Sequence, residues 1–135
     1  MFGTPPAETY LVTLYDEVTA SIYSDPHGGF GDMFKAVRVR AAIVSALRYT
    51  NGSEVLCLLV KVMERDPAPS VRWEAADVVE KLSNESACRV KDRRIVSALR
   101  RLVTDMQQEK EKGELGTSGT FRLERYSRLL DRLER

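Results

Sequence analysis

The sequence predicts an all-α chain, and three observations carry that expectation. Apolar residues return at steps of three and four in six separate segments. No stretch alternates apolar and polar residues with a period of two, so no strand is expected. A six-residue pattern, Val-Arg-x-x-Ala-Ala, occurs in VRVRAA at 37–42 and again in VRWEAA at 71–76, 34 residues on. Similarity at a fixed period between helical segments is the mark of stacked helix pairs. The fold expected is a short right-handed α-solenoid of about three antiparallel helix pairs.

The first helix covers 7–24, with Leu11, Leu14, Tyr15, Val18 and Ile22 as its apolar stripe. Asp25-Pro26 ends it, because proline disfavours a helical residue before it. DPHGGFGD, with three glycines, reads as a loop. The second helix is 33–49, broken by Thr50-Asn51-Gly52-Ser53, where Ser53 is a candidate N-cap for the third. EVLCLLVKVMER at 54–65 is apolar around most of its cylinder, as in a helix buried on several sides. Asp66-Pro67-Ala68-Pro69 stops it, and Ser70 is expected to cap a fourth helix running to about Ser83.

A fifth helix spans about 92–110, with the stripe Ile95, Leu99, Leu102, Val103 and Met106. Its IVSALR at 95–100 repeats IVSALR at 43–48, but the offset of 52 breaks the register of the first repeat. GELGTSGT at 113–120 has three glycines and no apolar period, so it reads as a flexible linker. FRLERYSRLLDRLER at 121–135 is an amphipathic last helix. The organisation expected is a repeat array over 1–112, the linker 113–120, and the helix 121–135.

The segment VLCLLVKVMERDPAPSVRWEAADVVEKL resembles one complete HEAT repeat. Leu56, Leu59 and Val62 supply the apolar first helix, and Asp66 and Pro67 the turn. Val71, Arg72, Ala75, Val78 and Leu82 supply the second helix. Residues 7–49 match only in their second helix, and 92–134 lack the Val-Arg pair. Armadillo repeats share the same packing logic. The resemblance implies that Arg72 and Arg38 brace a turn aspartate. It also implies a binding scaffold. Independently of it, Val71, Ala75, Val78 and Leu82 form one row, and Ala75 and Ala76 allow helices to approach within roughly 8–10 Å.

Composition narrows the function. Charged residues are 30% of the chain and the net charge is +1, so no global field selects nucleic acid or membrane. No apolar run reaches the ~20 residues of a membrane span, and no signal peptide opens the chain. Cys57, in LCLLV, reads as a small buried hydrophobe, and with Cys88 it makes no disulfide framework, which fits an intracellular protein of cytoplasm or nucleus. The glycosylation-like triplets at Asn51 and Asn84 read as turns. His27, between Asp25 and Asp32, has too few rigid ligands around it for a metal site. No cofactor motif and no catalytic motif is present, so no enzyme is expected.

Candidate binding residues remain. Arg93, Arg94, Arg100 and Arg101, with Ser97, gather opposite the apolar stripe of the fifth helix. They read as a face for another protein. The alternative is a nucleic-acid-binding module using the basic helix at 89–101. Trp73, on the side of Asp77 and Glu80, is either an interface anchor or a ring folded over Pro67 and Pro69. Leu123, Tyr126, Leu130 and Leu133 form a seam that folds back on the array, joins a homodimer through 121–135, or docks elsewhere. The function expected is a non-catalytic scaffold for protein–protein interaction, alone or as part of a larger assembly.

Overall fold

The computed structural model describes residues 7–24, 30–49, 53–86 and 90–135. Among these residues the chain is all-helical, with six α-helices and no strand. They are α1 (Ala7–Ser24), α2 (Phe30–Ala46, extended by a 3₁₀ turn at Leu47–Tyr49), α3 (Ser53–Arg65), α4 (Pro69–Glu85), α5 (Arg93–Glu111) and α6 (Gly116–Glu134). The Asp25-Pro26 stop, His27, Asn51 and Cys88 lie outside the described residues, as do the side chains of Asp32 and Ser53. None of the described helices is long and apolar enough to cross a membrane.

Each helix packs on its neighbour in a pair: α1 on α2, α3 on α4, α5 on α6. Across pairs, α3 touches α1 and α5, while α4 touches α2 and α6. One core runs through all of them. The predicted row Val71, Ala75, Val78 and Leu82 is buried throughout, and Leu59 and Val62 of α3 are fully buried with it. Ala76 is equally buried, so α4 offers its neighbours side chains of one carbon at two adjacent positions.

Three local expectations are corrected. Ser70 does not cap α4. Proline's fixed φ suits the first helical position, so α4 begins at Pro69 and the cap position falls on Ala68, which makes no side-chain cap bond. Cys57 is exposed rather than buried, because the helix it lies on keeps one open face. The linker read at 113–120 is mostly helix, since α6 starts at Gly116. Its glycines serve tight geometry. Gly113, at φ 75°, closes α5 with a Schellman motif: its N–H donates to Lys110 O at 3.0 Å, and the next N–H, of Glu114, to Glu109 O at 2.9 Å. Gly119 sits where α6 crosses Trp73. A Cβ there would meet Leu115 Cγ at 2.6 Å and Trp73 Cη2 at 3.5 Å. Gly119→Ala is therefore expected to lower stability by about 1–2 kcal/mol despite alanine's better helix propensity, as read by urea unfolding. A gain in stability would refute the close fit.

Candidate functional site

Two polar clusters, one buried and one partly buried, hold the helices in place, and they decide which charged side chains stay available. The first centres on Asp66, in the α3–α4 turn. Its Oδ2 accepts from Tyr15 Oη of α1 at 2.6 Å and from Arg40 Nε of α2 at 2.8 Å. Its Oδ1 accepts from Arg40 Nη2 at 3.1 Å and from the Ala68 N–H at 2.9 Å. All three side chains are buried. Burial, then the hydrogen bond and the charge of Asp66, push the Tyr15 phenol far up, so it stays a donor. The turn is thus braced by an arginine two residues beyond the expected one. Arg38 is exposed, and Arg72 is half-buried with no partner on its Nε. In VRVRAA it is the second arginine that points inward.

The second cluster lies between α4 and α6. Asp77 Oδ1 accepts from Tyr126 Oη at 2.7 Å and from Arg125 Nη2 at 3.0 Å. Its Oδ2 accepts from Arg122 Nη1 at 2.8 Å. Tyr126 is fully buried, and its hydroxyl also lies 2.9 Å from the carbonyl of Trp73. Burial, followed by the charge and hydrogen bond of Asp77, raises its phenol well above the ordinary range. Arg122 lies over the Trp73 ring, 5.5 Å from its centre. Trp73 is accordingly half-buried, with α6 lying over it.

The final seam is spent inside the chain. Leu123, Tyr126, Leu129 and Leu133 are buried, with Leu130 half-buried against the same core. These are the residues that a homodimer through 121–135 would need on the surface. Leu129 was not part of the predicted seam. It completes the i, i+3 spacing from Tyr126 and packs with the rest.

What remains open is the outer face of α5. Arg93, Arg94, Ser97, Arg100 and Arg101 are all exposed there. Asp92 caps the helix, its Oδ1 accepting from the Arg94 N–H at 2.8 Å and from Arg94 Nε at 3.3 Å. That guanidinium holds the Asp92 carboxyl below the usual carboxylate range. Arg94 Nη1 also lies 3.4 Å from Cys57 Sγ on α3. Arg100 gives Nε and Nη2 to Glu134 Oε1, at 3.1 and 2.6 Å. Arg93 and Arg101 carry no ion pair among the described residues. The pairs RRIVS at 93–97 and RRLVT at 100–104 repeat at seven residues, which sets like side chains above one another on one helical face.

The surface hollows flank the α5–α6 edge, lined by Lys110, Leu115, Phe121, Glu124 and Arg128 among others. Among the described residues, no group of three or more His, Cys, Asp or Glu converges to hold a metal. No family model, curated protein or solved structure matches this chain.

Proposed function

We propose that the chain is a short right-handed HEAT-like α-solenoid of three helix pairs, acting as a non-catalytic protein-binding module. The observation that carries this reading is the order of helix neighbours. The odd helices α1, α3 and α5 follow one another, the even helices do the same, and each pair packs on itself. Stacked pairs of this order bury one continuous core between two layers and leave long helical faces to solvent. The buried ionisable groups Asp66, Arg40 and Asp77 are taken up in bonds that join helices. The α5 face is the surface proposed for a protein partner. Arg93 and Arg101 are its cations without an ion pair among the described residues, and the face already accepts one carboxylate, from Glu134.

The nucleic-acid reading has less support, since Arg94 and Arg100 share their charge with Asp92 and Glu134. Both readings are tested with one variant, Arg93→Glu with Arg101→Glu. Exposed and unpaired, these changes are expected to shift stability by no more than about 0.5 kcal/mol, as read by thermal melting. Immobilised wild-type chain is expected to retain specific proteins from an extract of its own cells, and the variant to lose them. Equal recovery by both removes the α5 face from the proposal; no recovery by the wild type overturns the module itself. A labelled DNA duplex at low salt is expected not to bind. Tight binding that collapses as salt rises would favour phosphate contacts instead.

A further inference from the structure

The 34-residue repeat sets α2 against α4 residue by residue, and their outer faces differ. In α4 the row Trp73, Ala76, Glu80 and Ser83 runs along the side that α6 covers. Arg122 sits over Trp73, Arg125 holds Glu80 at 2.6 Å, and Arg132 reaches Ser83 Oγ at 3.3 Å. Ala76, between them, is wholly buried. The equivalent row of α2 and its 3₁₀ extension is Val39, Ala42, Ala46 and Tyr49. Steps of three, four and three keep these four on one face. Here three of the four are open and Ala46 is half-buried: Val39 is 41% exposed, Tyr49 is 78% exposed, and Ala42 faces solvent where its counterpart does not. α4 packs on α2 through the side that buries Arg40, Ile43, Val44 and Leu47, and Val39, Ala42 and Tyr49 receive no helix among the described residues.

The charges around this row select what can cover it. Arg38, next to Val39, is exposed and has no ion pair among the described residues. Arg48, next to Tyr49, reaches Glu85 only at 3.9 Å, and its Nε has no hydrogen-bond partner. Its guanidinium stacks 5.1 Å from the Tyr49 ring centre, which steadies that exposed ring. Two cations thus lie beside the row, and among the described side chains the only carboxylate that reaches either of them is Glu85. A second copy of α2 laid antiparallel would bring Arg38 against the copy's Arg48. Laid parallel, each arginine would meet itself. The α6 of a second copy carries Glu124 and Asp131 beside its arginines, but its apolar residues are buried against its own chain, and Arg122, Arg125 and Arg132 are already bonded to α4. Both α2 arrangements set like charges together.

We propose that the Val39–Ala42–Ala46–Tyr49 row is a docking surface for an amphipathic helix of another protein, with an apolar stripe and flanking carboxylates. Ala42 and Ala46 let the incoming backbone approach closely, Val39 and Tyr49 grip its apolar stripe at either end, and Arg38 and Arg48 pair with its acids. The inference rests on reading the chain as a protein-binding module, and it adds a second surface, apart from α5.

The probe is a labelled designed helix of about five turns, with leucines at i, i+3, i+4 and i+7 and glutamates on both flanks. Fluorescence anisotropy measures its binding to the whole chain. The wild type is expected to bind it, and to bind a version with lysines in place of the glutamates at least tenfold more weakly. Ala42→Glu, on an exposed helical position, is expected to weaken binding at least tenfold with an unchanged melting curve, and Tyr49→Ser to weaken it in the same direction. The Arg93→Glu, Arg101→Glu chain is expected to bind the probe as the wild type does. Equal affinity for the two peptides, or full affinity in both Ala42→Glu and Tyr49→Ser, overturns the inference. Failure of the wild type to bind any peptide overturns it as well, and leaves the module reading standing if capture through α5 persists.

Discussion

Asp66→Ala is expected to cost about 3–5 kcal/mol, because it strands a buried guanidinium rather than merely deleting a contact. Arg40 is 1% exposed and Asp66 2%, so water does not reach in to replace the lost carboxylate. Its Nη1 already lacks a partner, so the remaining donors have no reserve acceptor to turn to. Tyr15 Oη and the Ala68 N–H lose their acceptor in the same step. Against a typical total of about 5–15 kcal/mol, this removes a large share of the fold's stability. Urea unfolding followed by circular dichroism reads the loss. The double change Asp66→Ala with Arg40→Met is expected to be milder than Asp66→Ala alone, since it removes the stranded charge together with its partner. A single variant that unfolds within about 1 kcal/mol of the wild type would mean that the cluster is not desolvated.

The second large effect comes from removing 121–135. A homodimer joined through this helix would leave a folded monomer behind. The structure leads to the opposite expectation. Without α6, Asp77 loses Tyr126, Arg122 and Arg125 together, and α5 loses the helix it is paired with. The buried residues of α5, among them Leu99, Leu102, Val103 and Met106, would then have α3 as the main helix left to pack on. The truncated chain is expected to lose cooperative melting and to aggregate, while the intact chain runs near 15.3 kDa. Tyr126→Ala is the point-mutant form of the same test. It empties a fully buried ring position and leaves Asp77 under-bonded, with an expected cost of about 3–5 kcal/mol. A truncated chain that melts cooperatively as a monomer would sink this expectation.

The helices were legible in the sequence because apolar spacing and proline stops are local signals. The 34-residue echo was legible too, and it correctly placed Ala75 and Ala76 in the core. The polar clusters were not legible, for a physical reason. Asp66 draws donors from 51 and 26 residues away, and Asp77 from 45 to 49 residues away. No local rule separates Arg40 from Arg38, which differ only in the direction they leave the helix. Asp77 and Glu80 read only as the polar side of α4, because the sequence leaves open which surface the last helix folds on. GELGTSGT misled in the same way: glycine marks both loose chain and close packing, and only the neighbour at Trp73 distinguishes them. On α5, the basic residues were read as one cluster. Geometry divides them into Arg94 and Arg100, already paired, and Arg93 and Arg101, which have no ion pair among the described residues.

Arrays of stacked hairpins are commonly shortened or lengthened one unit at a time, because each unit leans only on the next. Asp66 removes that freedom here. It belongs to the second hairpin, yet its acceptor atoms are filled from both rods of the first. Neither hairpin can be excised without leaving ionic groups of the other dry and alone. Amides of the first rod pair should therefore exchange with deuterium in step with those of α4, in one global opening rather than by fraying from the end.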